Sequence, residues 1–277
     1  MRLKNLPDIE RIYSNWIDLE NTKNSEERYV GRESYYHASG AGMCARKHYY
    51  SSTNHRETNP TEKKGMRVMR LGTVMHEDLQ NAFRQILWQR EYPNTPKEKE
   101  SNKEKEIFNK DSYKYLYKNL KELSKDIKEI HIEGEIIMKE LNVRGFYDMV
   151  IIMDTGEVYL YDFKTIGAYG YKLKFGRNPR NNDQDHQEMQ LATYGMAVKE
   201  EFGRLDGMYL FYYNKDSSML KKKIVPISYL AKSLRYWKQV NAKMNMGIPP
   251  IQDGVSPAMT WECNYCRFKD DCYKNKT

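Results

Sequence analysis

The sequence predicts an α/β fold, in which a mixed sheet with an antiparallel hairpin is flanked by helices and followed by a cysteine-rich tail. Strand-like segments occupy residues 131–166, apolar residues recur at helical spacing on both sides of them, and three of the four cysteines lie after residue 262. We therefore expect an N-terminal helical region at residues 1–130, a sheet core at 131–246, and a tail at 247–277 that packs with the N-terminal region as one unit.

The N-terminal region contains two segments with helical periodicity. Residues 8–20 form the first, and residues 65–89 form the second, with His76 on its apolar stripe. Between them, the polar residues 21–34 indicate a loop. Residues 92–106 consist almost wholly of Pro, Asn, Ser, Lys and Glu, which predicts an exposed excursion.

A third helix is predicted before the sheet, because leucine and isoleucine repeat at helical spacing from Leu116 to Ile127. The segments that follow are strands at 131–141, 143–153 and 157–166, a loop at 167–183, a helix at 185–202, strands at 207–214 and 219–227, and a helix at 228–246. Prolines after residue 248 mark an irregular linker to the tail.

The most informative segment is the predicted hairpin around Asp154-Thr155-Gly156, since three-residue hairpin loops place glycine in the left-handed region. In this register Asp148 lies opposite Asp162, and two carboxylates roughly 5 Å apart destabilise a sheet unless a positive charge lies between them. Mg²⁺ or Mn²⁺ would supply it, with the Phe163 main-chain carbonyl as a further oxygen ligand. Lys164 shares the strand face of Asp162, where it can orient water or stabilise charge on a phosphate. Asp162 and Lys164 could instead form an ordinary surface ion pair.

Composition narrows the class of partner. The chain has 277 residues and a formal charge of +8, which favours polyanionic partners, and nucleic acid over membrane. No apolar run approaches the length of a membrane span, and the first residues lack the apolar stretch of a signal peptide. We therefore expect a soluble, cytoplasmic protein.

The cysteines predict a metal or cluster site. Cys263, Cys266 and Cys272 form a C-x2-C-x5-C pattern, and Cys44 is the remaining thiol. A cytosolic protein is a poor setting for disulfides, so we expect the three tail cysteines to bind a metal together with Cys44. The alternative is four unrelated buried cysteines.

Four short motifs together resemble the RecB-type branch of the PD-(D/E)XK nuclease superfamily. They are Gly-x-x-x-His at Gly72–His76, Gly-x-x-Asp at Gly145–Asp148, Asp-x-Lys at Asp162–Lys164, and Gln-x-x-x-Tyr at Gln190–Tyr194. The resemblance implies a restriction-endonuclease-like fold with His76 as a metal ligand, and with Gln190 and Tyr194 beside the active site, where they help to hold substrate or the catalytic lysine. Each motif alone also occurs by chance, and His76 could be a core histidine. Glu135 could be an acid near the metal or a solvent-facing strand residue.

The cysteine arrangement is similar to that of iron–sulfur nucleases, which include AddB-type nuclease domains and the CRISPR-associated RecB-like exonucleases. This resemblance implies a structural [4Fe–4S] cluster held by the four cysteines, with zinc as the alternative, because thiolates bind both. Two features depart from the family pattern. Asp162 stands where many members have glutamate, and the Lys/Glu-rich residues 92–128 resemble an insertion.

Together these features predict a metal-dependent nuclease that acts on DNA, as an exonuclease at single-stranded or frayed ends. Such domains serve CRISPR adaptation, phage recombination, replication and repair. The basic residues that we expect to contact DNA are Arg46, Lys47, Lys172, Lys174, Arg177 and Arg180. Tyr169 and Tyr171 could stack on bases, although a solvated basic loop explains residues 167–183 equally well. The alternatives are a non-catalytic DNA-binding accessory protein of recombination or repair and an iron–sulfur redox sensor on the same fold.

Overall fold

The computed structural model describes residues 8–29, 35–91, 118–177, 179, 186–250 and 260–274. The helices are α1 (Ile9–Tyr29), α2 (Ala45–Ser52), α3 (Lys63–Glu91), α4 (Ala168–Phe175), α5 (His186–Phe202), α6 (Tyr229–Met244), α7 (Thr260–Asn264) and α8 (Lys269–Lys274). The strands are β1 (Tyr36–His37), β2 (Ile127–Met138), β3 (Val143–Met153), β4 (Val158–Ile166), β5 (Gly207–Asn214) and β6 (Leu220–Val225).

The strands form one six-stranded mixed sheet in the order β1-β3-β4-β5-β6, with β2 also paired to β3. β2 and β4 run antiparallel to β3, β5 runs parallel to β4, and β6 runs antiparallel to β5. β1 pairs in parallel with the first two residues of β3. The predicted mixed sheet with an antiparallel hairpin and flanking helices is therefore confirmed.

Helices cover β4 on both faces. On one face Leu160 packs in a cluster with Leu191 of α5 and Trp237 of α6, all fully buried. On the other face Phe163, 2% exposed, packs in a second cluster with Ile86 of α3. Successive strand residues point to opposite faces, so two helical layers cover the strand that carries the Asp-x-Lys triplet.

The β3–β4 hairpin follows the predicted turn chemistry. Gly156 has a φ of +90°, a value that side chains other than glycine rarely adopt, and its N–H donates to the Met153 carbonyl at 2.9 Å. The bounds of β3 and β5 are those predicted from the sequence. Hairpin and strand patterns are local, which is why they could be recognised without the rest of the chain.

The predicted loops at residues 21–34 and 167–183 are partly wrong, because helices occupy part of each segment. Residues 21–29 continue α1, and four of these nine residues are Glu, Lys or Arg, which favour helix even without an apolar stripe. Ala168–Phe175 forms α4 although Gly170 lies inside it. Its first N–H, from Ala168, donates to Asp216 Oδ2 at 2.6 Å, so a residue from a distant turn caps this helix.

The predicted helix before the sheet is partly wrong. Ile127 begins β2 and pairs with the end of β3, because its apolar side chain joins the cluster under α3 instead of continuing a helix. The excursion at residues 92–106 lies outside the described residues, and the division of the chain at residues 130 and 246 stays a prediction. Across the described ranges no helix combines the length and apolarity needed to cross a membrane.

The packing of α2 on α6 buries an ionisable residue, His48, which is 7% exposed. Its Nε2 lies 3.0 Å from the Gly40 carbonyl and 2.8 Å from the Tyr236 hydroxyl. Burial, helped by the charges of Lys47 and His37, lowers the pKa of His48 to about 4 against the opposing effect of the Gly40 bond. The folded protein therefore holds this imidazole neutral.

We expect His48 to make the fold sensitive to acid. Its pKa is lower in the folded than in the unfolded chain, so its contribution to stability is complete above about pH 6.5 and is lost as the pH falls towards 4. The loss reaches about 3 kcal/mol. His48→Gln should flatten this part of the stability profile in urea titrations between pH 4.5 and 7, whereas His131→Gln on β2 should not. Equal acid sensitivity in wild type and His48→Gln would contradict the expectation.

Candidate active site

The β3–β4 hairpin brings the carboxylates of Asp148 and Asp162 together. Its ladder ends at the pair Met149 and Tyr161, and the same register carried one residue further sets Asp148 opposite Asp162. There the strands part, and the Phe163 N–H donates to Asp148 Oδ2 at 2.6 Å. Where the two carboxylates meet, the side chain of Asp148 therefore takes the place of a main-chain acceptor in the ladder.

Asp162 is the most buried ionisable residue of the site, at 1% exposure. Its Oδ2 lies 2.5 Å from Lys164 Nζ, and its Oδ1 lies 3.5 Å from Gln190 Nε2. Burial, helped by the charge of Asp148, raises the pKa of Asp162 to about 6 against the opposing charge of Lys164. The fold therefore disfavours the negative charge of Asp162, and a bound cation would favour it.

His76 reaches the hairpin from α3. One turn earlier, a Cβ on Gly72 would lie 3.2 Å from Thr165 Oγ1, so glycine allows α3 to approach β4 closely. His76 Nδ1 then lies 3.6 Å from Asp148 Oδ2. Burial lowers the pKa of His76, but the hydrogen bond and charge of Asp148 outweigh it, and the net pKa is raised. The Gly-x-x-x-His motif thus combines a close helix–strand approach with a side chain at the carboxylates.

Gln190 and Tyr194 reach the same carboxylates from α5. Gln190 Nε2 donates to the Tyr194 hydroxyl at 3.0 Å, and Tyr194 is 4% exposed. Burial raises the pKa of Tyr194 far above its usual value, and the charge of Asp162 adds to the shift. A Cβ on Gly145 would lie 2.9 Å from Tyr194 Cε1, so this glycine makes room for the ring. The Gly-x-x-Asp and Gln-x-x-x-Tyr motifs are therefore packed against each other.

Two further polar residues of the site lack a sequence motif. The β2–β3 ladder pairs the residues on either side of Glu133 with those on either side of Asp148, so these two carboxylates are also opposite each other. Glu133 has a φ of +57°, which is unusual for a residue other than glycine, and strain of this kind is common near functional sites. Gln80, 2% exposed and one turn after His76, donates to Glu133 Oε1 at 2.7 Å. In the sequence, only the four-residue spacing between His76 and Gln80 indicates that Gln80 lies on the same helix face as His76.

Glu135 lies apart from this group. It forms an ion pair with Arg144, and its side chain is 38% exposed. Of the two interpretations left open by the sequence, this contact supports the solvent-facing one.

The four cysteines line one pocket, together with residues of α2 and of the tail. Cys44 precedes α2, and its N–H lies 3.3 Å from the carboxylate of Glu262, which is itself 3% exposed and 3.7 Å from Lys47 Nζ. Burial raises the pKa of Cys266 and of Glu262. Thiols and cations therefore share a site whose groups come from two ends of the sequence.

Arg46 and Lys47 belong to this pocket. The Arg46 Nε donates to the Pro250 carbonyl at 2.5 Å, and its Nη1 lies 3.8 Å from Cys272 Sγ. Lys47 faces Glu262 and the sulfur of Met43. Both cations are engaged with the cysteine pocket, and their contact with DNA stays a prediction.

The other basic residues predicted to contact DNA lie beyond β4. Lys172 and Lys174 are on α4 instead of in a loop, and exposed Arg177 follows it. Tyr169 is 75% exposed, whereas Tyr171 packs on Phe175. Arg180 lies outside the described residues.

The sequence profile of the PD-(D/E)XK nuclease superfamily matches residues 33–273. The chain belongs to this superfamily. Among solved structures, SSO0001 resembles it at 15% identity, over 96% of this chain and 98% of that one, with a TM-score of 0.48. A protein named "Putative exonuclease" from Eubacterium rectale resembles it at 12% identity, over 94% and 92% of the chains, with a TM-score of 0.44. A search of curated proteins found no match.

PD-(D/E)XK nucleases typically use Mg²⁺ or Mn²⁺, and the donors at the hairpin fit such an ion. Asp148, Asp162 and the Phe163 carbonyl supply oxygen, the ligand that both ions prefer, and His76 supplies nitrogen. Within the described ranges, no three His, Cys, Asp or Glu side chains converge closely enough to hold a metal as they stand. Instead, Lys164 contacts one oxygen of Asp162, and the Phe163 N–H donates to one oxygen of Asp148. The chemistry of the donors is that of a metal site, with a lysine against its most buried carboxylate.

Proposed function

We propose that this PD-(D/E)XK nuclease is a divalent-metal-dependent deoxyribonuclease of the RecB-type branch, which degrades DNA from single-stranded or frayed ends. The observation that supports it most strongly is the meeting of Asp148, Asp162 and Lys164 where β3 and β4 part, with His76 and a buried tyrosine beside them. A surface ion pair would not require burial of Asp162 to 1% exposure.

In this proposal Asp148, Asp162, His76 and the Phe163 carbonyl hold Mg²⁺ or Mn²⁺. The ion supplies Lewis-acid activation of the scissile phosphate and of the attacking water. Asp162 is poised to accept a cation, because its pKa is raised by burial and Lys164 offsets only part of the cost of its charge. The negative charge that develops on the phosphate would then meet a preorganised positive site.

Lys164 orients the attacking water or stabilises the phosphate as negative charge develops. Its Nζ lies 2.5 Å from Asp162 Oδ2, so the lysine is held beside a carboxylate that would bind the metal. Gln190 links Asp162 to Tyr194, which holds the aspartate in position from α5. Gln190 and Tyr194 therefore contribute to the reaction by positioning the carboxylate of Asp162.

We further propose that the cysteine pocket holds a [4Fe–4S] cluster through Cys44, Cys263, Cys266 and Cys272, with zinc as the competing occupant. The four cysteines line one pocket, which supports a four-thiolate site, although among the described residues no three of them lie close enough to hold a metal as they stand. Arg46 and Lys47 would offset the negative charge of the thiolates. The role assigned to the cluster is structural, because it would join the N-terminal region to the tail.

Digestion of end-labelled and circular DNA, single- and double-stranded, tests the function with a series of divalent metals. We expect Mg²⁺- or Mn²⁺-dependent release of short products from end-labelled single strands, slower digestion of blunt duplexes, and resistance of circles. EDTA should abolish the activity. Rapid cleavage of circular DNA would contradict the exonuclease proposal, and a lack of hydrolysis with every metal would contradict the nuclease itself.

A further inference from the structure

A row of side chains crosses the sheet from Lys164 to the edge strand β6. Lys164 of β4 is the register partner of Tyr212 on β5, and Tyr212 is the register partner of Lys221 on β6. Residues directly opposite one another on paired strands project from the same face. Since neighbouring strands are about 4.8 Å apart, the backbone of Lys221 is roughly 10 Å from that of Lys164.

Helix α4 adds a second cation to this row. Lys174 Nζ lies 5.4 Å from the ring of Tyr212, and Lys221 Nζ lies 5.4 Å from the ring of Phe175. The two rings are themselves in edge contact, with centroids 5.3 Å apart. Tyr212 is fully buried and donates to Gln187 Oε1 at 2.7 Å, so the aromatic pair that supports both lysines is held in place. The cation–π contact with Phe175 orients Lys221 without neutralising its charge.

The lysines on this surface differ in whether a carboxylate pairs with them. Lys223, two residues along β6, forms an ion pair with buried Glu188. In the described part of the chain, no carboxylate pairs with Lys221 or with exposed Lys172. Lysines on an edge strand also discourage strand pairing with other chains. That effect does not depend on which face of the sheet a lysine projects from. The alignment of Lys221 with Lys164 is therefore the feature that needs an explanation.

We propose that Lys172, Lys174 and Lys221, which we term the α4–β6 ridge, bind the phosphates of a single-stranded nucleic acid within a few nucleotides of the bond at Lys164. This inference rests on the proposed function. Polyanion binding requires cations along the path of the strand, and phosphate contacts fix the register of a nucleic acid without reading its sequence. The ridge would hold the strand at the edge of the sheet and direct it towards the site.

The chain offers a matched pair of lysines for the test. Lys222 is adjacent to Lys221 on β6 but projects from the opposite face, where its Nζ lies 4.6 Å from the ring of Tyr209. Lys221→Gln and Lys222→Gln thus remove the same charge from the same strand, each from beside an aromatic ring. Binding of a fluorescein-labelled oligothymidylate is measured by anisotropy in EDTA across a salt titration.

We expect Lys221→Gln to bind about fivefold more weakly at 0.1 M salt, and the slope of log K against log salt to fall by about 0.7, the loss of one phosphate contact on a single strand. Lys222→Gln should match wild type in both. Adding Lys172→Gln to Lys221→Gln should lower the slope again. Equal effects of the two β6 substitutions, or no effect of either, would contradict the proposal that the α4–β6 ridge binds nucleic acid.

The same measurements separate the ridge from the nuclease assignment. If DNA hydrolysis is absent but Lys221→Gln alone weakens binding, the ridge stands and the catalytic proposal fails. If DNA is hydrolysed in a metal-dependent way while Lys221→Gln binds as wild type does, the ridge is wrong and the active site stands.

Discussion

Asp162→Asn should lower kcat for DNA hydrolysis on the order of a thousandfold while leaving the protein folded. Asparagine keeps the shape of the side chain but cannot supply an anionic oxygen ligand, and metal activation contributes several kcal/mol to such reactions. Because burial raises the pKa of Asp162 to about 6, the fold disfavours its charge, and the neutral amide removes that cost. The metal-free variant should therefore be at least as stable as the metal-free wild type.

The pairing of lost activity with retained stability distinguishes a catalytic carboxylate from a structural one. Thermal unfolding in EDTA and steady-state hydrolysis of single-stranded DNA provide the two measurements. Asp154→Asn is the matched control, because Asp154 is an exposed aspartate in the turn of the same hairpin and should keep full activity. Full activity in Asp162→Asn would show that the active site lies elsewhere.

Cys44→Ser should cost the protein a large part of its stability, on the order of 5 kcal/mol. A cluster that links Cys44 to Cys272 closes a loop of more than two hundred residues in the unfolded chain, and its loss restores that chain entropy. Small domains have total stabilities of about 5–15 kcal/mol, so the effect would be visible as a much lower urea midpoint.

Metal content separates the occupants of the cysteine pocket. Wild-type protein purified without oxygen should be brown and contain iron and sulfide, whereas Cys44→Ser should lose both. Tyr265→Phe, in the exposed tail segment between Cys263 and Cys266, controls for substitution in this region. Colourless wild-type protein loaded with zinc would replace the cluster with a zinc site, and a Cys44→Ser protein with full iron and stability would contradict both.

The hairpin shows how far local sequence rules extend. Asp154-Thr155-Gly156 predicted both the turn and the register that sets Asp148 opposite Asp162, because strand alternation and the glycine conformation depend on neighbouring residues alone. The same rules could not find Glu133. Its place beside Asp148 depends on the β2–β3 connection, where Asn142 takes a left-handed conformation.

Helix α4, in contrast, could not be predicted from the local sequence. Glycines in residues 167–176 predicted a loop, but the cap from Asp216 and the contact of Phe175 with Tyr212 come from elements that follow in the chain. A short helix has little stability of its own, so packing against β5 decided its conformation. The two ridge lysines of α4 therefore lie on a fixed surface instead of in a mobile loop.

By itself, the sequence determined the strand that carries Asp162 and Lys164, the hairpin that pairs it with Asp148, and the motifs of the superfamily, since each depends on residues close together in the chain. Only the tertiary structure decided that α3 brings Gln80 to Glu133 and that Lys221 aligns with Lys164. Those arrangements depend on distances between separate elements, which are set by the packing of helices on both faces of the sheet.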